Sequence, residues 1–342
     1  VHAVKQTAVF GYVQMMTENM PNFRGISSLY GLNYVPGPWM SAISVSKGAG
    51  SVINGYEAIA GQISVDYKKP TTSEKVFVNG YGSSEGMIEF NANTGIILND
   101  KWSTALLVHG DWLTVDHDSN HDGFLDMPEK KQYNLMNRWQ YKTDKWNLQF
   151  GGKFLDEKRL GGQKGFKRSM RGEYGVDKLY GIGIDSRRYE GFLKLGYLMP
   201  QYENTSMAWI VNYTDHNQDS YYGARDYQAR QQTVFANYIF QSIFGNNENQ
   251  KYSAGVTFNF DRFDESFNDF DIFALKPTKR ADFVRSERVI GAFFQYTGAF
   301  WEKLTVMAGL RYDYHNLFGG FVTPRLHLAY APDDFTMLKF SA

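Results

Sequence analysis

One loop concentrates the donor atoms that could hold a metal. Residues 116–130 read DHDSNHDGFLDMPEK. In the frame starting at Asp118, oxygen donors fall at Asp118, Asn120, Asp122, the Phe124 carbonyl, Asp126 and Glu129. These are ligand positions 1, 3, 5, 7, 9 and 12 of a twelve-residue calcium loop. Hard oxygens at alternate residues suit Ca2+, Gly123 allows the sharp turn, and Glu129 can bind through both oxygens. A frame starting at Asp116 places His121 where glycine is needed and fails. Pro128 is unusual but removes no ligand, and Leu125 points back toward a packed base. No helical pattern flanks the loop, so the expectation is a structural calcium loop and not an EF-hand. The plainer alternative is a solvated acidic loop.

Other clusters carry weaker chemistry. Lys158, Arg159, Lys164, Lys167, Arg168, Arg171 and Lys178 make a basic stretch that could attract an anionic ligand or lipopolysaccharide phosphates; it could equally be a solvated loop. Met15, Met16, Met20 and Met40 lie close in sequence, and thioethers suit copper(I), although Met is commonly packing filler. His2, His109, His117, His121, His216, His315 and His327 show no ligand-pair spacing. No Ser/His/Asp or paired-carboxylate arrangement stands out, so the chain does not read as an enzyme.

These residues must be positioned by strands. Composition narrows the class first: Lys+Arg and Asp+Glu are both 36, so no net field favours nucleic acid, and there is no Cys for disulfides or thiolate sites. With Tyr 23, Phe 26, Trp 7 and Gly 33, the 342 residues point to an all-β protein. No run approaches the roughly 20 apolar residues of a membrane helix.

From Lys75 onward the chain alternates with period two. In Lys251–Asp261, Tyr252, Ala254, Val256, Phe258 and Phe260 point one way; Lys251, Ser253, Gly255, Thr257, Asn259 and Asp261 point the other. Gly86–Leu98 and Lys303–His315 repeat the split. The segments read as about 10 to 14 residues, longer than the roughly 5–6 of globular strands. One face is polar, as for a wet lumen. The other is apolar with aromatics near its ends (Trp112, Tyr141, Trp146, Tyr197, Tyr252, Phe260, Trp301, Tyr330), as for a lipid-facing band. Short connections, such as Asn99–Lys101 and Thr143–Lys145, alternate with long ones at Asp116–Lys131, Lys158–Ser186, His216–Arg225 and Asp264–Glu287. The expectation is a transmembrane antiparallel β-barrel with about thirteen strands after Lys75. An odd count cannot close a bacterial single-chain barrel, so part of a longer chain is expected.

Residues 41–67, SAISVSKGAGSVINGYEAIAGQISVDY, resemble the end of the plug domain of TonB-dependent outer-membrane receptors. The matching positions are Ile43, Val45, Lys47, Gly48, Ser51, Val52, Gly55, Ala58, Ile59, Gly61, Ile63 and Val65. Lys47–Gly48–Ala49 replaces the family's Arg–Gly–Pro and Ala60–Gly61 its Gly–Gly, departures that resemble receptors of the Bacteroidetes type. GLRYDYH at Gly309–His315 and TPRLHLAYAP at Thr323–Pro332 resemble a late hairpin of the same family. Apart from resemblance, the glycines allow positive φ and close backbone approach.

The resemblance implies that residues 1–70 are the C-terminal part of a plug and 71–342 the first part of a barrel of about 22 strands. It implies TonB-dependent uptake of a scarce small-molecule ligand (metal chelate or siderophore, haem, cobalamin or copper) across the outer membrane of a Gram-negative bacterium. Implied partners are the inner-membrane TonB complex, the ligand and lipid or lipopolysaccharide. The alternatives are a passive porin or surface-adhesion barrel and a soluble sugar-binding β-protein.

Overall fold

A computed structural model of the chain describes residues 13–202, 204–245, 247–333 and 335–342; His2 lies outside them. Two sheets form. The first has four strands, β1 (Val13–Thr17), β2 (Met20–Pro21), β3 (Met40–Lys47) and β4 (Gly61–Tyr67), in the order β2-β1-β4-β3. β1 runs parallel to β4 and β3 antiparallel to it. Between β2 and β3 lie three 3-10 turns at Gly25–Leu29, Gly31–Tyr34 and Gly37–Trp39. Gly55 takes φ +104, and a Cβ at Gly61 would sit 2.8 Å from the Ser46 carbonyl oxygen. Both positions therefore need glycine.

The second sheet has thirteen strands, each hydrogen-bonded to its sequence neighbours. They are β5 (Phe77–Gly82), β6 (Met87–Ile97), β7 (Trp102–Leu113), β8 (Glu129–Lys142), β9 (Trp146–Gly162), β10 (Gly181–Leu198), β11 (Ser206–Tyr222), β12 (Arg225–Phe244), β13 (Asn247–Asp271), β14 (Lys276–Phe300), β15 (Leu304–His315), β16 (Gly319–Tyr330) and β17 (Leu338–Ser341). The count and the facing follow the alternation. Val256 is 53% exposed, whereas Thr257 is 6% exposed beneath Arg311. Outward aromatics gather at two levels. Trp102–Tyr141, Trp146–Tyr197 and Trp209–Tyr238 pack near the short turns, and Trp112–Tyr133 and Phe154–Tyr189 near the opposite end.

Two expected long loops are strand instead. His216–Arg225 is continuous strand around a turn at residues 223–224, and Asp264–Glu287 is the upper part of a hairpin turning at residues 272–275. Their charged residues read as loop because nothing apolar alternates there. Cross-strand ion pairs such as Arg225–Asp269 (3.1 Å) and Arg230–Asp215 accompany the ladder. The 25 residues of β13 and of β14 span about 80 Å at 3.3 Å each, far beyond the roughly 9–11 needed to cross a bilayer. The connections at residues 114–128 and 163–180 remain long.

The inner face is not uniformly wet either. Leu107, Met136 and Leu155 turn inward and pack with Met15, Phe23, Tyr34, Val35, Trp39, Val65 and Tyr67 of the small sheet and its turns. A second cluster joins Met20 to Ile210 and Phe235.

Replacing Val256 by Arg should lower folding yield in detergent or lipid by about 2–4 kcal/mol equivalent, and Thr257→Arg by less. Equal yields, read by heat-modifiable migration, would contradict the assigned facing. The sheet is also open at β5 and β17. These 342 residues expressed alone should therefore associate through the two edges, and a monodisperse species in light scattering would contradict this.

Candidate functional site

The small unit is fixed to the wall by charge as well as by packing. Glu18, in the β1–β2 turn, is 3% exposed and accepts from Arg138 of β8 at 2.6 and 3.2 Å and from Lys194 of β10 at 3.0 Å. Burial alone would raise the Glu18 carboxyl, but Arg138 and Lys194 outweigh it and hold it below its ordinary 4.5. Higher up, Arg24 pairs with Asp261 at 3.1 Å and with Glu57. Arg188 binds Glu190 at 2.7 Å and the Asn22 side chain at 2.6 Å. On the far side, Arg325 donates to the carbonyls of Gly50, Ala58 and Tyr56, and Arg311 to that of Val52. The glycine-rich stretch read from sequence is thus gripped by two arginines of the late-hairpin motif.

Above this contact the turns Gly25–Leu29 and Gly31–Tyr34 form the floor of a cup. Leu29 and Leu32 are 41% and 36% exposed. Tyr30 lies under the Arg159 guanidinium at 4.2 Å, and Glu157 clamps that guanidinium at 2.9 and 2.8 Å. Across the floor, Phe263 lies under Arg285 at 4.4 Å, and Tyr227 donates to Glu265 at 2.6 Å. Apolar floor and aromatic faces suit a planar ligand, to which Arg159 and Arg285, each already paired with a carboxylate (Glu157 and Glu287), offer stacking faces and N–H donors.

Few of the residues singled out from sequence meet here. In the acidic loop the Asp122 N–H donates to Asp118 Oδ1 (3.1 Å) and Asn120 Oδ1 (3.2 Å), and the Phe124 N–H donates to Asp122 Oδ1 (2.8 Å). Gly123 has φ +83. Asp126 accepts from the Ser119 N–H at 2.7 Å, and Glu129 stands at the start of β8 opposite Leu160. Asp118, Asn120 and Asp122 are gathered, and Asp126 is tied to the same turn through the Ser119 N–H and the His117 carbonyl; Glu129 stands apart at the start of β8. Among the described residues no three His, Asp or Glu side chains form a metal-holding group. Met15 and Met20 enter different hydrophobic clusters. The basic stretch splits: Arg159 faces the cup, while Arg168 pairs with Asp185 (2.6 Å) and Arg171 with Asp219 (2.9 Å) and Asp226 (2.8 Å). A cavity of about 690 Å3 lies above the outer aromatics, lined mostly by outward-facing side chains such as Lys158, Arg187, Asp219, Arg230 and Asp264, and so is not the cup. The floor residues 25–34 escaped sequence reading; their one signal is the run GISSLYGLNY, dense in Gly, Leu and Tyr.

Residues 156–342, more than half of the chain, match the family model described as TonB dependent receptor-like, beta-barrel. The chain belongs to this family. TonB-dependent receptor barrels lie in the outer membrane of Gram-negative bacteria, so the long connections face outward and the short turns face the periplasm. No curated protein sequence matches the chain. Among solved structures it is similar to the siderophore receptor PirA from Acinetobacter baumannii (TM-score 0.69, 15% identity, 96% of this chain and 52% of that one). It is similar also to the ferric yersiniabactin uptake receptor FyuA from Yersinia pestis (0.72, 12%, 94% and 54%). A third is the alcaligin outer membrane receptor FauA from Bordetella pertussis (0.69, 12%, 96% and 53%). The chain spans about half the length of these receptors.

A carboxyl held below its ordinary value stabilises the fold above pH 4.5, and that contribution is lost as pH falls through the lowered value. Hydrogen-exchange protection of β1 in the receptor should therefore stay level from neutral pH to about 5 and fall in more acid buffer. Glu18→Gln should cost about 3–5 kcal/mol at neutral pH and flatten the acid transition. An unchanged acid transition in that variant would remove Glu18 from this role.

Proposed function

We propose that the chain supplies the plug and adjoining wall of an active importer, and that the cup above residues 25–34 receives its ligand. The small four-stranded unit is the plug, and the inner-membrane TonB complex supplies the work that shifts it. The observation that carries this reading is Tyr30 held under Arg159 beside exposed Leu29 and Leu32 on the outward side of a unit locked into the wall. A passive porin has no use for a buried ion-paired unit across its lumen. The favoured cargo is a ferric chelate of the siderophore class. PirA and FyuA are named for such ligands, and catechol, hydroxamate or carboxylate chelators present the planar anionic surface that aromatic and guanidinium groups take.

Growth of a receptor-deletion strain on single defined sources of iron, haem, cobalamin or copper tests this. Growth on ferric chelates should require both the receptor and TonB. Tyr30→Ala with Arg159→Ala should weaken chelate binding about tenfold or more while leaving the barrel folded. Receptor-dependent growth that ignores TonB would restore the porin reading. Dependence on haem, cobalamin or copper alone would overturn the ferric assignment but keep the cup.

We propose further that Asp118, Asn120, Asp122, the Phe124 carbonyl, Asp126 and Glu129 close on Ca2+ at the outer surface. The half-gathered arrangement around the Asp122 N–H supports this, as does the left-handed Gly123. Calcium is plentiful outside cells, and sites of roughly 10⁻⁴–10⁻³ M suffice there. Calorimetry on the full receptor should show binding that Asp122→Ala/Glu129→Ala abolishes, together with calcium-dependent protection of the loop from protease. No heat and no protection in the wild type would leave a solvated acidic loop.

A further inference from the structure

Lys131 of β8 and Lys158 of β9 stand directly opposite one another in the antiparallel register. Both are exposed and face outward, on the same face as Tyr133 and Phe154. Like charges placed opposite across a ladder destabilise it, so this pair calls for a counter-charge. The protein does not supply enough. Asp156 is taken by Arg187 at 3.0 Å and Asp185 by Arg168 at 2.6 Å. Among the described residues no ion pair includes Lys131, Lys158 or Lys167. Two carboxylates remain near them, Glu129 in the same lining and Asp116 beside Glu129, against three lysines.

These groups line a cavity of about 440 Å3 formed by Glu129, Lys130, Lys131, Lys158, Leu160, Phe166, Lys167 and Arg168. Lys130 turns inward to Asp111 at 2.8 Å; Lys131, Lys158 and Lys167 remain around the opening, with Leu160 and Phe166 as an apolar base. The height is informative. Tyr133, two residues below Lys131, accepts from Trp112 Nε1 at 3.0 Å, and Phe154, four residues below Lys158, packs on Tyr189 at 5.2 Å. Those aromatics form the outer girdle, at the level of headgroups. The lysines therefore sit one step above the hydrocarbon, where phosphate groups of outer-leaflet lipids lie, and the exposed Leu135 and Leu193 continue an apolar track below them.

We infer that the Lys131–Lys158–Lys167 cavity binds the phosphate-bearing headgroup of a glycolipid in the outer leaflet, with the acyl chains running down over Tyr133, Leu135, Phe154 and Tyr189. The bound phosphate supplies the charge that the strand pair lacks. The inference rests on the outer-membrane placement of the barrel and not on what the lumen imports.

The test uses the full-length receptor purified in neutral detergent and mixed with bisphosphorylated lipid A, enzymatically dephosphorylated lipid A, or inorganic phosphate, with retention read by native mass spectrometry. Bisphosphorylated lipid A should be retained, and K131Q/K158Q should retain about thirtyfold less, in line with roughly 1 kcal/mol for each of the two basic residues near an anionic surface. In neutral detergent without lipid, the same variant should melt no lower than wild type, because a repulsion has been removed. Equal retention by wild type and K131Q/K158Q, or by phosphorylated and dephosphorylated lipid A, overturns the inference. Displacement by equimolar inorganic phosphate overturns it in favour of a plain anion site. If the double variant does not give a heat-modifiable barrel, K158Q alone carries the same comparison.

Discussion

The Arg138–Glu18 pair occupies a place where a lone charge is least tolerable. Arg138 is fully buried on the inner face of β8, and nothing else on its strand is acidic below Glu129. An unpartnered guanidinium there would cost several kcal/mol. The carboxylate comes instead from the turn between β1 and β2, so the wall and the small unit each leave the other's charge stranded when they part. Parting would likewise take Arg24 from Asp261, although Arg24 keeps Glu57, and would leave the Arg325 guanidinium without the carbonyls of the glycine-rich stretch. The wall is polar inside because the bilayer claims its other face. A polar inner face in turn needs a polar filling with matched partners, and the small unit is that filling.

This dependence explains what the sequence disclosed. Strand facing is a local property: Val256 and Thr257 differ in exposure because of their own types and the pleat, so alternation showed it. The glycine pattern at 48–61 was equally local, since positive φ at Gly48 and Gly55 leaves a mark that needs no partner. The partner of Arg138 lies 120 residues away, and no periodicity carries that information. The three inward apolar residues Leu107, Met136 and Leu155 were hidden for the same reason: each is inward by parity and apolar because it shares a cluster with Tyr34, Trp39 and other apolar residues of the small unit. The hairpin tops failed in the opposite sense. Above the membrane neither face of β13 and β14 meets lipid, the apolar alternation disappears, and a strand then looks like a loop although its ladder continues.

Depth thus organises three chemistries on single strands. β9 carries Trp146 at the lower girdle, Lys153 against the small unit's Tyr34 carbonyl at 3.0 Å, Phe154 at the upper girdle and Lys158 above it, with Glu157 and Arg159 turned into the cup. Adjacent residues therefore serve different solvents. Arg159 orders the floor of the cup through Tyr30, and its neighbour Lys158 stands outside the wall. A basic run in the sequence is not one electrostatic feature once a sheet divides it between two faces.

That division bears on how the proposed transport cycle must work. The cup's floor is made of turns whose other ends are bolted to the wall: Arg24 precedes Gly25, and Asn22 is held by Arg188 and Glu190. A ligand that draws Tyr30 or Leu32 upward acts on those bolts through only a few residues of chain. Glu18 and Arg138 lie further down, behind the Met15–Phe23–Trp39 cluster. On the proposed reading, ligand contact at the floor reaches the upper ion pairs before the lower one, and Arg138–Glu18, near the short-turn end of β8, is the pair left to a pull from the periplasmic side. Two locks at two depths, each answerable to a different side of the membrane, would keep the lumen shut unless cargo and energy source act together.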